Sequence, residues 1–300
     1  MNKEQNFISA VVYVRQADES TMTFFQNLAN VLECHFLQYE IIAVNQNIKH
    51  KSVAALCDWG KTLSKPFTII HMAAAQSHEQ CMNAGLDCSI GDYIYEFDIP
   101  ELLYPAEMIW QVYETAMKGN DIVSLCPRTE LMFSKLFYAV FNYYSRVIYP
   151  LHTNALRLVS RRALNRVHAI SETLPYRKAA YAFSGLKVEN IFFEGRVKTV
   201  SGNRLKLAVD SLVLYSDFGY RFSLSLAMLM GSVTVLGLLY TVFIWLFDAP
   251  VAGWTTIMLI LSFGLSGLFF VSAIALKYLT LNLSMVFRKQ DYLVENVNKL

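Results

Sequence analysis

The chain has 300 residues, of which 54% are hydrophobic, and its mean hydropathy of +0.32 is too high for a soluble enzyme with a single core. The formal net charge of +2 is too small to indicate a nucleic-acid-binding protein, so no nucleic-acid partner is expected. The apolar excess lies towards the C-terminal end, which predicts a soluble part followed by a membrane part.

The cysteines and the N-terminus indicate a cytosolic setting for the soluble part. Five cysteines are scattered without a CxxC pair, a pattern typical of reduced thiols and not of a disulfide framework or a zinc site. The first segment, "MNKEQNFISAVVYV", lacks the long apolar stretch and cleavage site of a secretory signal, so none is predicted.

Strand-like and helix-like segments alternate over the first hundred residues. Apolar strands are predicted at 8–14, 39–45, 67–72 and 91–98. Helices are predicted between them, at 19–37, with Ser20 or Thr21 near its start, and at 52–63 and 77–90. This alternation is typical of a parallel α/β sheet that is covered by helices on both faces.

Polar residues stand where two of these strands end. Ligands of parallel α/β sheets bind beyond the carboxyl ends of the strands, and both Asn45 and Asp98 are at such ends. Glu96 and Asp98 are two residues apart, so their side chains are expected to point the same way. The spacing alone leaves open whether they bind a metal or merely close the strand.

The pattern changes after residue 107. A helix at 106–119 and a strand at 120–127 are followed by an aromatic-rich stretch at 131–149 and a basic one at 156–167. Core packing is the plain interpretation of the aromatic stretch, whereas the family resemblance given below implies, and slightly favours, helices on a membrane surface.

Two uncharged segments, 222–247 and 251–276, are each longer than the roughly 20 residues that cross a bilayer as a helix. Buried core helices are the less favoured alternative, because such helices rarely run so long without a charge. The short connection "DAPV" predicts a hairpin.

Basic residues flank the predicted hairpin, whereas the turn carries only Asp248. They are Arg204, Lys206 and Arg221 before it, and Lys277, Arg288 and Lys289 after it. The positive-inside rule therefore predicts a multi-pass protein of the inner (cytoplasmic) membrane with both ends cytoplasmic. Glycines in the helices allow close approach, and a homo-oligomer is left open.

This organisation predicts three parts: a cytoplasmic domain at 1–221, a transmembrane hairpin at 222–276 and a cytoplasmic amphipathic tail at 277–300. The tail is predicted to be helical, either along the inner leaflet or against the soluble domain.

Five segments, in order, resemble the family 2 glycosyltransferases of GT-A fold. They are "NAGLDCSIGDYIYEFDI" (83–99), "LRLVSRRAL" (156–164), "GRVKT" (195–199), "KLAVDSLVLYS" (206–216) and "LKYLTLNLSMVFRKQDYLV" (276–294). The chain is most similar to the polyprenyl-phosphate glycosyltransferases, which include dolichyl-phosphate-mannose synthase and the GtrB-like enzymes. The resemblance covers nearly the whole chain.

The resemblance implies transfer of a sugar, with inversion, from a nucleotide-sugar donor to a polyprenyl phosphate for surface-glycan assembly or modification. It implies a Mg²⁺ or Mn²⁺ ion on the catalytic acids Glu96 and Asp98, because such ions take carboxylate and phosphate oxygens. The resemblance also implies that the nucleotide is contacted by Tyr13, Gln16, Asn45 and Asp98. It implies that the acceptor phosphate is bound by Arg128, Arg157, Arg161 and Lys198.

The chain also departs from the family pattern. Gln16-Ala17 replaces an Asn-Glu pair, Asn45-Gln46 replaces two aspartates, Glu96 replaces the first metal-binding aspartate, and Pro100 replaces a glutamine. These changes motivate one alternative, a catalytically degenerate relative that acts as a membrane partner or scaffold. A glycosyltransferase with another donor or acceptor class is a further alternative.

Overall fold

The structure is a computed structural model that describes residues 3–15, 18–46, 51–129, 132–145, 149–170, 176–195, 218–247, 253–286 and 292–300. The chain divides into two units. The first comprises Met1–Asn142, Val147–Leu207 and Phe287–Leu300, and the second comprises Tyr143–Arg146 and Ala208–Val286.

The first unit contains an eight-stranded mixed sheet in its described part. The strands are β1 (Ile8–Val14), β2 (Tyr39–Asn45), β3 (Phe67–Met72), β4 (Tyr93–Phe97), β5 (Ile122–Pro127), β6 (Leu156–Ser160), β7 (Val188–Phe193) and β8 (Val294–Lys299). Their order is β7-β5-β6-β4-β1-β2-β3-β8. The first four strands are parallel, as predicted, whereas β6 runs antiparallel to β4 and β5, and β8 runs antiparallel to β3. The predicted α/β class is confirmed.

Helices cover both faces of this sheet. They are α1 (Glu19–His35), α2 (Lys51–Gly60), α3 (His78–Cys88), α4 (Glu107–Met117), α5 (Met132–Ser145), α6 (Arg161–Ile170) and α7 (Arg177–Phe183). One buried apolar cluster includes side chains of α1, α2 and α4, and the other includes side chains of α3, α6 and α7. The cap of α1 is Asp18, which accepts a hydrogen bond from the Thr21 amide at 2.9 Å.

Helix α3 packs closely on the sheet because it carries Gly85. A Cβ atom there would lie 2.4 Å from Cγ1 of Val11 and 2.7 Å from Cγ2 of Val44. Its N-terminus has a capping box, in which Ser77 and Gln80 exchange hydrogen bonds. The next two residues after the cap, His78 and Glu79, belong to the side-chain cluster that follows β4.

The second unit contains two long apolar helices, α8 (Phe218–Phe247) and α9 (Trp254–Val286). Leu224–Ile244 and Thr256–Leu276 are long and apolar enough to cross a membrane, and their most apolar windows are 0% and 6% buried. These segments do not have the burial of soluble core helices. Helix α9 continues past residue 276, where the hairpin was predicted to end.

The prediction of a helical tail is wrong for its last part. Residues after 276 remain helical up to Val286, but Val294–Lys299 forms strand β8 on the edge of β3. Pairing with the exposed edge of β3 outweighs local helix preference, because it supplies hydrogen bonds to both strands.

The aromatic stretch forms helix α5, with one buried face. Tyr138 and Phe141 are buried, whereas Met132, Leu136 and Tyr143 are exposed. Core packing therefore accounts for the buried pair, and membrane contact by the exposed residues stays a prediction.

Candidate functional site

Polar side chains gather at the carboxyl ends of the central parallel strands. Strands β1, β2 and β4 lie side by side, and their ends bring Tyr13, Asn45 and Asp98 to one edge of the sheet. The start of β6 is at the same edge, because β6 is antiparallel to β4 and pairs Arg157 with Glu96. This edge is where parallel α/β sheets bind ligands.

A buried arginine, Arg177 at the start of α7, holds three carboxylates together. Its Nε atom donates to Glu79 at 2.8 Å, one terminal nitrogen donates to Glu96 at 2.6 Å, and the other donates to Asp98 at 2.8 Å. Its side chain is 1% exposed. The planar guanidinium has the fixed fork of donors that such a triple contact requires.

Glu96 is an internal ion-pair partner. Its Oε2 atom accepts hydrogen bonds from Arg157 at 2.9 Å and from Arg177, and its Oε1 atom accepts one from the Tyr181 hydroxyl. The Glu96 side chain is 1% exposed. Because both oxygens are engaged and buried, this structure disfavours Glu96 as a metal ligand, and that assignment stays a prediction.

Asp98 is the more accessible of the two predicted acids. Its side chain is 19% exposed, and all of its described hydrogen bonds and ion pairs use Oδ1: Arg177 donates to it, and Nε2 of His78 lies 3.5 Å from it. Burial alone would raise the pKa of Asp98, but the Arg177 guanidinium and His78 lower it well below its usual range. Asp98 is therefore ionised, with Oδ2 left to meet a ligand.

Glu79 is the third acid of the cluster and lies in the first turn of α3. Burial would raise its pKa, but Arg177 and His78 lower it to about 2. The N-terminus of a helix also favours a negative charge. Glu79 therefore stays ionised and anchors Arg177.

The predicted nucleotide contacts are partly engaged inside the protein. Burial raises the pKa of Tyr13 to about 12, and its hydroxyl donates to Oε1 of Gln46. The Tyr13 ring meets that of His78 edge to face at 4.6 Å. Asn45 contacts His71, with 3.3 Å between Nδ2 and Nδ1. Gln16 lies outside the described residues.

Two of the predicted acceptor cations, Arg157 and Arg161, lie at opposite ends of β4. Arg157 is buried against Glu96 and lies 5.1 Å from the centre of the Tyr181 ring. Arg161 bonds the Ser89 and Gly91 carbonyls, which precede β4. Arg161 therefore lies at the opposite edge of the sheet from Asp98. Neither arginine is available as predicted, because each holds the sheet and its loops together.

Arg128 is exposed, and Lys198 is not among the residues described. The Arg128 side chain is 67% exposed and lies 3.6 Å from Glu194 in a surface ion pair. It remains available to an anion, because exposed pairs are weak.

A cleft lies between α7 and strands β5 and β7, next to the buried Arg157. Its lining includes Tyr149, His152, Asn154 and Lys178. Oδ1 of Asn154 is buried and accepts no hydrogen bond from the described residues. Lys178 of this lining also lowers the pKa of Asp98 electrostatically, after Arg177 and His78.

Sequence reasoning missed Glu79, Arg177 and Lys178. The available signal was the segment "YRKAAYAF", where two adjacent cations begin an otherwise apolar and small-residue helix. Nothing in the spacing indicated that Arg177 faces β4, since that contact joins residues far apart in the chain.

No family model matches the chain. It is 24% identical over 194 residues to an uncharacterized glycosyltransferase of Synechocystis sp., covering 62% of this chain and 60% of the relative. It is 24% identical over 251 residues to the uncharacterized glycosyltransferase YkcC of Bacillus subtilis, covering 79% of this chain and 77% of the relative. Both relatives are glycosyltransferases. They are consistent with the predicted enzyme class.

Two similar solved structures are also glycosyltransferases. The mannosyltransferase PcManGT from Pyrobaculum calidifontis, in complex with GDP-Man and Mn²⁺, has a TM-score of 0.49 and 12% identity, covering 71% of this chain and 63% of that one. Glucosyl-3-phosphoglycerate synthase from Mycobacterium tuberculosis, in complex with Mn²⁺, UDP and phosphoglyceric acid, has a TM-score of 0.47 and 14% identity, covering 69% and 76%.

At this edge of the sheet, Asp98 is the residue that would hold a divalent cation. Among the described residues there is no group of three or more His, Cys, Asp or Glu that could hold a metal ion by itself. Mg²⁺, however, is commonly bound by one or two carboxylates together with substrate phosphates. Oδ2 of Asp98 would serve as a ligand of that kind, whereas the oxygens of Glu96 are occupied by Arg157, Arg177 and Tyr181.

Proposed function

We propose that this chain is a membrane-anchored glycosyltransferase of GT-A-like fold that transfers a sugar from a nucleotide-sugar donor to a polyprenyl phosphate. The observation that supports it most is an ionised, partly exposed Asp98 at the carboxyl edge of a parallel sheet, in a chain similar to two glycosyltransferases. The donor would bind beside Tyr13, Asn45 and Asp98.

The chemistry requires positioning and charge neutralisation more than a strong base. A divalent cation bound through Asp98 would neutralise the diphosphate leaving group. The acceptor phosphate is itself the nucleophile, so the protein must hold it near the sugar. We assign this role to Lys178, which lines a cleft with Asn154, because a lysine binds phosphate as a point charge.

The membrane part of the proposal is supported by the fold. Strands β1–β7 precede helices α8 and α9, and β8 follows them, yet all eight strands form one sheet. Both ends of the hairpin therefore lead to the same unit, which must be on one side of any membrane. Two crossings satisfy this requirement, and they agree with the basic residues at both ends.

The donor is tested by calorimetric titration of the purified protein with UDP and with GDP, each with and without Mn²⁺. We expect one of the nucleotides to bind in the presence of Mn²⁺, and Asp98→Ala to lose that binding. Wild-type protein that binds neither nucleotide would overturn the proposed activity. The acceptor is tested separately by measuring sugar transfer to polyprenyl phosphate. An enzyme that uses a different class of acceptor would show no such transfer.

A second candidate function is a catalytically degenerate partner or scaffold. Two observations favour it. Glu96, the first acid of the metal motif, is held in buried ion pairs, and Gln46 is hydrogen-bonded internally to Tyr13 and to the Gln76 carbonyl. The nucleotide titration separates the two candidates, because a scaffold predicts no nucleotide binding by the wild-type protein.

A further inference from the structure

Asp98 lies just beyond the end of β4, so no strand pairing fixes its side chain. Its carboxylate is held chiefly by Arg177, whose nitrogen lies 2.8 Å from Oδ1, whereas Nε2 of His78 lies further away, at 3.5 Å. The orientation of Asp98 is therefore set by a residue of α7, which is 79 positions further along the chain.

Arg177 is itself held from two other sides. Glu79 of α3 accepts hydrogen bonds from its Nε atom and from its backbone amide, the latter at 3.2 Å, and Glu96 of β4 accepts from a terminal nitrogen. With the plane of the guanidinium fixed by these two acids, the remaining nitrogen can point in one direction, which is towards Asp98.

We propose that Arg177 is a positioning residue: it clamps Oδ1 of Asp98 so that Oδ2 is presented as the one acidic protein ligand of a divalent cation. The inference rests on the proposed function, since it concerns the same cation. Glu96, which the sequence suggests as a second ligand, instead anchors the clamp. Lysine cannot reproduce this clamp, because its point charge lacks the fork that reaches three carboxylates.

The test measures Mn²⁺ binding, in the presence of saturating UDP or GDP, from the loss of the free-ion electron paramagnetic resonance signal. We expect Arg177→Lys to weaken Mn²⁺ binding by about tenfold or more, as is usual when the partner of a metal ligand is lost. Asp98→Asn should abolish binding. Arg161→Gln is the matched control, because Arg161 is a structural arginine at the opposite edge of the sheet, and it should leave the Mn²⁺ affinity unchanged.

Thermal unfolding identifies the variants that fold. If Arg177→Lys does not fold, Glu79→Met takes its place, because methionine is similar in length and cannot accept the Nε hydrogen bond. A folded variant of either kind with wild-type Mn²⁺ affinity would overturn the inference and leave the proposed function standing. Wild-type protein that binds no Mn²⁺ with either nucleotide would overturn both.

Discussion

Glu96 lies between Arg157 and Arg177, and 1% of its side chain is exposed. Breaking a buried ion pair leaves its partner charged and unpaired. The residue therefore matters first for the stability of the fold.

We predict that Glu96→Ala lowers the free energy of unfolding by about 3–5 kcal/mol, the usual cost of removing one partner of a buried ion pair. Urea unfolding of the detergent-solubilised protein measures it. Glu194→Ala is the control: this side chain is 88% exposed in a surface pair with Arg128, and its loss should cost less than about 1 kcal/mol. Equal effects of the two substitutions would contradict the buried role.

Glu79 predicts a pH dependence of stability. Its pKa in the folded protein is lowered to about 2 from its ordinary value of 4.5, so its ion pair with Arg177 stabilises the protein above pH 4.5. This contribution, on the order of 3 kcal/mol, is lost as the pH falls from about 4.5 towards 2. Glu79→Gln should be less stable at pH 7 and lose less stability over that window. If the free energies of unfolding of the wild type and of Glu79→Gln fell in parallel over this pH range, Glu79 would not be the source of the pH dependence.

The sequence indicated Asp98 and Asn45 correctly as strand-end residues, but not the arginines. Arg157 and Arg161 stand four positions apart in one motif, yet one is buried at the carboxyl end of β4 and the other bonds carbonyls before its amino end. Their separation follows from the antiparallel direction of β6. A single sequence does not reveal which neighbour a strand will pair with, or in which direction.

At the scale of elements, the alternation of strands and helices up to residue 127 was predictable, because each apolar run has a clear period and polar ends. Strand β8 was not. "VENVNK" has few apolar residues, and it becomes a strand by pairing with β3, more than two hundred positions earlier. Local patterns carry no information about such a partner.

Strand β8 is predicted to protect the edge of β3. It pairs with Thr68–Met72, the Leu293 amide donates to Gln76 at 2.9 Å, and Asn298 contacts His71 at 3.3 Å. Removing residues 292–300 should accelerate amide hydrogen exchange in 67–72, because that edge would lose its partner.

Hydrogen exchange followed by mass spectrometry measures this effect, and peptides from β5 and β6 provide the internal control, since they lie at the other side of the sheet. Unchanged exchange in 67–72 would show that β8 does not protect the edge. His71 also contacts Asn45, so the same truncation should loosen the candidate nucleotide end of β2.

At the scale of the whole molecule, a single sheet contains strands that precede the two long apolar helices in the sequence and one strand that follows them. This arrangement is possible in a membrane protein only with an even number of crossings between β7 and β8. The two apolar helices meet that condition, whereas one crossing would separate β8 from β3. The pairing of β8 with β3 therefore limits how many times the apolar segments between β7 and β8 can cross a membrane.

Cysteine labelling tests this topology. We predict that Cys34, exposed on α1, reacts with a membrane-impermeant maleimide only after cells are permeabilised, whereas Phe247→Cys, at the exposed end of α8, reacts in intact cells. For each site, the other native cysteines are replaced by serine, so that labelling comes from a single thiol. If both sites react only after permeabilisation, the helices do not cross. If Cys34 reacts in intact cells, the sheet lies on the outer side and the positive-inside assignment is wrong.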